Sequence, residues 1–349
     1  MMSKRIFLSS DPGIDDMAAI LFALADTEIE LVGIGAVAGN VAMQTALENA
    51  RFTCALAAPS RKVACYAGSR GPLLRDQIFG AHKALGSFRD NLKDLEDRLP
   101  AFEPAAVTPE RSAAEAMADA IRHAAHKQDP LIIAVTGPMT DVALAMMLAG
   151  KAHCQAGIES IVAMGGAFKA LGNRSPFAEM NMLSDPHAAR IVCESGIPLV
   201  LFPLDVTWQC RLTREDLEQM EREAGVIGQV FSRLFRASDR ENPALYGGPG
   251  GPVHDLLPIV WLVADALFTW RNARVSVATG PERAGHTSRL LQKSGDTEAI
   301  SLPHRIVESV KRDAVLALFL DRLKALAHGA NGVAACDHHN QTNREEDLQ

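Results

Sequence analysis

The chain has 349 residues, of which 48% are hydrophobic and 22% charged, so it is long enough to bury a large core. Its 42 acidic residues outnumber 35 basic ones, and the net charge of −7 with only 5% aromatic residues argues against a nucleic-acid partner. No apolar stretch approaches the ~20 residues that a membrane helix needs, and the 6 cysteines show no C-x-x-C spacing. We therefore expect a cytoplasmic protein with no membrane partner.

Short apolar runs that end in Gly, Pro, Asn or Asp alternate with longer helical patterns, which is typical of βαβ units around a parallel sheet. The predicted strands are residues 6–8, 31–37, 63–66, 131–135, 158–164, 198–202, 275–277, 290–291 and 305–307. The predicted helices are residues 17–24, 42–57, a helix from 141, then 185–195, 214–223, 226–238, 254–269 and 313–326. The less periodic residues 67–112 are predicted to form a long excursion over the sheet edge.

No shift in composition divides the chain into separate units. We therefore expect one α/β domain over residues 1–328, with a mostly parallel central sheet and helices on both faces. Residues 329–349 are polar and are predicted to form a disordered tail.

Three carboxylates follow the first predicted strand, within the six residues Asp11 to Asp16. The carboxyl ends of parallel strands are the usual ligand site in such folds. A plainer explanation is an Asp-Pro-Gly turn whose next acidic residues favour the start of a helix. Carboxylates at this density repel one another unless a cation or a shared proton intervenes, and a site made only of oxygens suits Ca²⁺ or Mg²⁺.

These residues also carry a family resemblance. The segment SSDPGIDDMAAI resembles the Asp-rich N-terminal signature of the inosine-uridine-preferring nucleoside hydrolases. Further motifs that resemble this family follow in the same order: AGN at 38–40, VTGPMTD at 135–141, GN at 172–173, AEMN at 178–181, DPHAA at 185–189, VHD at 253–255 and RAGHT at 283–287. The resemblance covers about residues 1–328.

The resemblance implies an enzyme that uses Ca²⁺ and water to cleave the N-glycosidic bond of a ribonucleoside into free base and ribose. It implies a metal site built from Asp11, Asp16, the backbone carbonyl of Thr136, and Asp255. Asp11 is then expected to be the general base, since it would contact both the metal and the water. His254 is expected to give a proton or a hydrogen bond to the departing base, the plainer alternative being a partly exposed residue at the start of a helix. The resemblance also implies a homodimer or homotetramer.

The same resemblance implies a set of substrate-binding residues. They are Asp15 at the ribose 2′-hydroxyl, Asn40, Asn173, Glu179 and Asn181 around the ribose, Met164 as an apolar wall, and His82 beside the base. Plainer explanations exist for each of them, namely Asx turns and helix caps for the polar residues and core packing for the methionine. His82 lies in a loop that matches the family poorly, which favours the plainer explanation there. Tyr246 and Trp208 are candidates either for base stacking or for packing.

The chain departs from the family pattern at two positions. Ser9 occupies a position where the family usually has Asp, and Met180 stands where it usually has Phe. The missing carboxylate motivates an alternative from another class, a catalytically weakened homologue that binds ribosides or a related sugar conjugate. A metal-dependent phosphohydrolase is disfavoured, because the chain lacks an Asp-x-Asp-x-Thr nucleophile motif and a Gly-Lys phosphate cradle.

Overall fold

The fold is built around one large sheet. The computed structural model describes residues 3–57, 62–79, 86–99, 111–240, 242, 248–290 and 304–345. The strands within these ranges are β1 (Lys4–Ser10), β2 (Ile29–Ala36), β3 (Cys65–Ala67), β4 (Leu131–Val135), β5 (Ile158–Met164), β6 (Leu199–Phe202), β7 (Arg211–Leu212), β8 (Gly251–Pro252), β9 (Phe268–Val277), β10 (Thr287–Leu290) and β11 (His304–Val310).

The described strands make two sheets. Nine of them form the large sheet in the order β10-β9-β11-β6-β5-β4-β1-β2-β3, and β7 pairs with β8 separately. From β3 to β11 every neighbouring pair is parallel, whereas β9 and β10 are antiparallel additions at one edge. The predicted mostly parallel sheet is therefore confirmed.

Helices cover both faces of this sheet. They are α1 (Ile14–Ala25), α2 (Met43–Ala57), α3 (Ala113–Lys127), α4 (Thr140–Ala149), α5 (Lys151–Gly157), α6 (Met180–Ser184), α7 (Pro186–Cys193), α8 (Leu204–Thr207), α9 (Arg214–Glu223), α10 (Gly225–Ala237), α11 (Leu256–Ala264) and α12 (Arg312–Glu345). Among the described residues, no helix combines the length and the apolar character that crossing a membrane requires.

The strands alternate their side chains between two buried layers, as the pleat requires. In β1, Ile6 and Leu8 belong to the core that includes residues of α1, α10, α11 and α12. Phe7, between them, belongs to the core on the other face, which includes residues of α3, α4 and α7. Burial on both faces explains why the central strands read as continuous apolar runs in the sequence.

Helix α3 lies outside the helices that the sequence predicts. A capping box starts it, because the Ser112 hydroxyl accepts the backbone N–H of Glu115 and the Glu115 carboxylate accepts the backbone N–H of Ser112. Its buried stripe consists largely of alanines, among them Ala116 and Ala124. The buried residues recur at helical spacing, but the apolar face is mostly alanine, which the sequence analysis does not count as core.

The helix predicted over residues 254–269 is wrong at its C-terminal end. Helix α11 ends at Ala264, and strand β9 begins at Phe268. In β9 four exposed residues follow the buried Phe268, and alternation begins only at Ala273. The sequence therefore predicts only the last part of a ten-residue strand.

The C-terminal helix α12 is longer than the predicted helix over residues 313–326, because its backbone continues to Glu345. The domain boundary at residue 328 and the disordered tail over residues 329–349 stay predictions.

Candidate active site

A cleft of about 480 Å³ lies where several parallel strands end. Strands β1, β4 and β5 end at Ser10, Val135 and Met164, so the segments that follow them bring their side chains to the same edge of the sheet. The cleft is lined by Asp15, Asn40, Thr136, Met164, Asn173, Arg174, Glu179, Met180, Asn181, Arg240, His254 and Asp255. All of these except Arg174, Met180 and Arg240 are site residues that the sequence analysis expects. His82 and Tyr246 lie outside the described residues.

Asp16 is held rigidly beside this cleft. The hydroxyls of Ser10 and Thr136 donate to its Oδ1 at 2.6 and 2.7 Å, and the backbone N–H of Gly13 donates to its Oδ2 at 3.0 Å. The donors come from the end of β1, the start of α1 and the end of β4. Because both carboxylate oxygens accept hydrogen bonds, the orientation of this side chain is fixed before any ligand binds.

Asp11 lies against the segments that follow β2 and β4. The backbone N–H of Asn40 donates to its Oδ2 at 2.5 Å. A Cβ atom on Gly39 would lie 2.1 Å from Asp11 Oδ2, and a Cβ atom on Gly137 would lie 2.8 Å from Asp11 Oδ1. Close approach to this carboxylate thus requires glycine at both positions. Asp11 Oδ1 is buried and has no hydrogen-bond partner among the described residues.

Asp15, Asp16 and Asp255 form a buried acidic cluster. One carboxylate oxygen from each lies within 4.8 Å of the others. Asp255 Oδ1 is buried and, like Asp11 Oδ1, lacks a hydrogen-bond partner within the described part of the chain. Buried carboxylate oxygens without partners are costly unless a cation binds them, so the cluster fits an oxygen-bound metal ion. Asp16 and Asp255 are metal ligands that the family resemblance implies. Asp15, the third member of the cluster, is not an expected ligand.

The charges within this group shift its pKa values in opposite directions. Burial, reinforced by the negative charges of the neighbouring aspartates, raises the pKa of Asp11 and of Asp255 well above the usual range. Burial and the charge of Asp15 raise the pKa of Asp16 to about 6. Burial opposes ionisation of Asp15 as well, yet the charges of Arg240 and His254 outweigh it and lower the pKa of this carboxyl. Asp15 is therefore the carboxylate that ionises most readily.

Arg240 accounts for that difference. Its Nη2 lies 2.6 Å from Asp15 Oδ1, and its Nη1 donates to the carbonyl of Pro252 at 2.8 Å. Only 10% of its side chain is exposed. Sequence reasoning missed Arg240, since it lies just after α10 and no motif singles it out.

Glu179 and Asn181 form the opposite wall. Glu179 Oε1 accepts the backbone N–H of Asn181 at 2.8 Å, and its Oε2 accepts those of Gly166 and Met182, both at 3.1 Å. Burial raises the pKa of Glu179 to about 7 despite these donors. Asn181 Nδ2 donates to the carbonyl of Thr136 at 2.8 Å, which ties this wall to the end of β4.

Helix capping explains part of this wall. Glu179 is the N-cap residue of α6, and Asn173 Oδ1 accepts the backbone N–H of Met180 at 2.9 Å. The plainer explanation offered for these residues, local capping, therefore holds for their backbone contacts. Both side chains nevertheless line the cleft, so capping and ligand binding are compatible here.

His254 stands at the edge of the acidic cluster. Its Nδ1 lies 2.7 Å from the Thr207 hydroxyl, and the Trp208 ring packs perpendicular to its own ring at a centroid distance of 5.7 Å. Trp208 is not among the residues that line the cleft, which favours a packing role for it. Sequence reasoning missed Thr207, which lies outside the motifs on which the family resemblance rests.

These features define an α/β fold whose cleft joins a buried carboxylate cluster, of a composition that fits a cation, to a wall of polar side chains. The family model described as inosine-uridine preferring nucleoside hydrolase matches residues 6–317. The chain belongs to this family and is an N-glycosidic hydrolase.

Named relatives and a solved structure are consistent with this membership. The chain is 35% identical over 285 residues to the pyrimidine-specific ribonucleoside hydrolase RihA of Shewanella, with 80% of this chain and 84% of the relative covered. It is 34% identical over 284 residues to an Escherichia coli pyrimidine-specific ribonucleoside hydrolase, RihB, with 80% and 86% covered. The solved structure of a purine-preferring ribonucleoside hydrolase from Gardnerella vaginalis has a TM-score of 0.76 and 26% identity, with 93% and 99% covered.

Proposed function

We propose that this protein hydrolyses ribonucleosides to free base and ribose with the help of a bound Ca²⁺ ion. The observation that carries the proposal is the cleft itself, where buried carboxylates with unpartnered oxygens adjoin side chains suited to sugar hydroxyls. The named relatives support a ribonucleoside as the substrate. Their names differ in the base, so the proposal covers both pyrimidine and purine ribonucleosides.

The metal would be held by Asp11, Asp16, the carbonyl of Thr136, and Asp255. This donor set consists only of oxygens, which suits Ca²⁺. Asp15 is close to the cluster but is paired with Arg240, and we assign it to the substrate. When bound, the ion would lower the pKa of a coordinated water and would bind two ribose hydroxyls.

The chain's own residues then move the protons. Asp11 takes a proton from the water as its oxygen bonds to the anomeric carbon of the ribose. The bond between this carbon and the base nitrogen breaks, and its electron pair goes to the base. His254 gives the base a proton, so that the products are neutral base and ribose. The negative carboxylates around the sugar stabilise the positive charge that develops on it in the transition state.

Ribose is proposed to bind along the walls of the cleft. Asp15 would accept a hydrogen bond from the 2′-hydroxyl, and Asn40 would help to hold the hydroxyls and the water. Asn173, Glu179 and Asn181 would contact the 3′ and 5′ sides, where buried polar atoms already surround the space. Met164 would form an apolar wall. The contact of His82 with the base stays a prediction.

A substrate panel tests this proposal. Ribose release is measured from uridine, cytidine, inosine and adenosine with excess Ca²⁺ and after exhaustive chelation. We expect calcium-dependent release from at least one of them, and we expect Asp11→Asn to abolish it, whereas the exposed Asp265→Asn control should not. Binding of ribonucleosides without ribose release would instead support the weakened homologue that Ser9 motivates. Full turnover by metal-free protein would contradict the mechanism.

Two further expectations belong to this proposal. The resemblance implies a homodimer or homotetramer, which light scattering coupled to size-exclusion chromatography measures directly. The expected cytoplasmic location is tested by cell fractionation.

A further inference from the structure

We propose that Thr207 is a positioning residue for the reaction, which orients the His254 imidazole so that its Nε2 faces the departing base. The inference rests on the proposed function, because it assigns a partner to the residue that gives the base its proton. Thr207 itself does not line the cleft and acts only through His254.

The hydrogen bond between the two side chains is short and buried. The distance from Thr207 Oγ1 to His254 Nδ1 is 2.7 Å, and the two residues are 0% and 7% exposed. The two imidazole nitrogens lie on different edges of the ring. A hydrogen bond to one nitrogen therefore fixes the direction in which the other nitrogen points. Nδ1 is directed to Thr207 and His254 lines the cleft, and we assign Nε2 to the substrate.

The backbone brings these residues together. In the two-stranded sheet, Arg211 of β7 pairs with Pro252 of β8. Beyond the paired residues, the N–H of Val253 donates to the carbonyl of Cys210 at 3.1 Å, and the N–H of Cys210 donates to the carbonyl of Thr207 at 3.2 Å. This chain of backbone hydrogen bonds places the end of α8 beside the start of α11, so the contact is a consequence of the fold.

Trp208 restricts the ring further. Its indole packs edge-on against His254 with an interplanar angle of 90°, and the guanidinium carbon of Arg211 lies 5.6 Å from the centre of the Trp208 ring. The indole fixes the plane of the imidazole, while the Thr207 hydroxyl selects which nitrogen turns inward. Together they hold a single ring orientation.

This orientation suits the leaving-group step. When the glycosidic bond breaks, its electron pair goes to the base nitrogen and the proton on Nε2 follows. The neutral imidazole that remains keeps its proton on Nδ1. This N–H donates a hydrogen bond to the oxygen of the Thr207 hydroxyl. Without that hydroxyl, both ring orientations become accessible and the productive one is less populated.

The test compares substrates that need a proton on the leaving group with one that does not. Thr207→Val removes the hydroxyl at nearly constant volume, and Thr207→Ser retains it. On uridine or inosine we expect Thr207→Val to lower kcat by ~10–100-fold with little change in KM, in line with the usual effect of losing an orienting partner. On p-nitrophenyl β-D-ribofuranoside, whose nitrophenolate departs without a proton, kcat should stay within about twofold, and Thr207→Ser should resemble the wild type on both substrates.

Controls separate this role from a structural one. Thr53→Val replaces another buried threonine, whose hydroxyl donates to the Asn49 carbonyl in α2, and should not discriminate between the two kinds of substrate. If valine at position 207 prevents folding, Thr207→Ala provides the same comparison. Calcium affinity is measured for every variant, and we expect it to be unchanged.

Two results would overturn the inference: equal losses on the nucleoside and the nitrophenyl riboside, or no loss on either substrate. A wild-type protein that cleaves none of these substrates would contradict the proposed function instead. A wild-type protein that cleaves both, with a Thr207→Val variant that does so equally well, contradicts only the role of Thr207.

Discussion

At the scale of single residues, Ser9 and Ser10 show how neighbours on one strand differ in what they contribute. Both are fully buried near the end of β1. The Ser10 hydroxyl donates to Asp16, whereas the Ser9 hydroxyl has no hydrogen-bond partner within the described residues. Removing a hydroxyl that has a charged partner is costly, while removing an unpaired one is nearly neutral.

The pair therefore makes a matched test. We expect Ser10→Ala to weaken Ca²⁺ binding by ~10–100-fold, since it removes a donor that orients a ligand. Ser9→Ala should leave both Ca²⁺ affinity and ribose release unchanged. Isothermal titration with Ca²⁺ measures the affinities. Equal losses in the two variants would mean that Asp16 is not oriented through Ser10.

Arg240 leads to a prediction about stability. Its guanidinium is the partner of the buried Asp15 carboxylate, and losing one member of such a pair leaves an uncompensated charge. We expect Arg240→Met to lower the free energy of unfolding by about 3 kcal/mol, and the double variant with Asp15→Asn to recover part of that loss. Urea unfolding of the wild type and the three variants at constant Ca²⁺ gives the coupling energy. Strictly additive losses would show that the two side chains do not interact.

These residues also show what the sequence can reveal about the site. Asp11, Asp15 and Asp16 are conspicuous because three carboxylates crowd one short segment after a strand. Arg240 and Thr207 are not, because their importance depends on contacts with Asp15 and His254, which are distant in the chain. No local pattern encodes such a contact, so the structure is needed to find it.

At the scale of elements, the segment after β3 depends on close backbone approach. A Cβ atom on Gly68 would lie 2.1 Å from Asp141 Oδ2 and 2.6 Å from the carbonyl of Ala36. The same Asp141 carboxylate accepts the backbone N–H and the hydroxyl of Ser69. The segment is thus fastened to the start of α4 through contacts that leave no room for a side chain at residue 68.

We therefore expect Gly68→Ala to destabilise the protein by about 1–3 kcal/mol, the usual cost of forcing an extra carbon into a packed site. Gly71→Ala is the control, because its added Cβ would meet nothing closer than 3.7 Å. Urea unfolding curves measure both. A Gly68→Ala variant as stable as Gly71→Ala would contradict the tight packing at this point.

Elements differ in how far the sequence predicts them. Strand β4 matches its prediction because it is a short apolar run that is buried throughout, and β5 has the same character from Ile161 to Met164. The exposed middle of β9 is missed because it lacks the alternation that strands normally show. Helix α3 is amphipathic, but its buried face is mostly alanine and is missed for that reason. Element bounds are therefore predicted best where burial is densest, which is also where the site is anchored.

At the scale of the whole molecule, the buried acidic group should couple metal binding to folding. Asp11, Asp15, Asp16 and Asp255 are each at most 4% exposed, and their mutual repulsion opposes the folded state when no cation is bound. A ligand present at a hundredfold excess over its Kd stabilises the native state by about 2.7 kcal/mol. We expect Ca²⁺ to raise the Tm by about 5 °C relative to chelated protein, with no rise in Asp16→Asn. An unchanged Tm in the wild type would argue against a calcium site here.

The whole fold also determines which part of the substrate is recognised. Asp15 comes from the segment after β1, Asn40 from that after β2, and Glu179 from that after β5, yet all of them line one cleft. In the proposed mechanism they converge on the sugar, whereas the base has His254 as its only described partner. Most of the binding specificity should therefore come from the ribose hydroxyls rather than from the base.

The 2′-deoxynucleosides test that asymmetry. Removing the 2′-hydroxyl leaves Asp15 without its proposed partner and also removes an oxygen from the proposed metal shell. Sites built to bond a hydroxyl can reject analogues that lack it by ~10⁴-fold, so kcat/KM for 2′-deoxyuridine should fall by about that factor relative to uridine. Exchanging uracil for another base should cost less. Asp15→Asn should narrow the gap between ribo- and deoxyribonucleosides, because it weakens the acceptor that detects the hydroxyl. Comparable kcat/KM values for uridine and its 2′-deoxy analogue would mean that the diol does not bind at the metal and that Asp15 has another role.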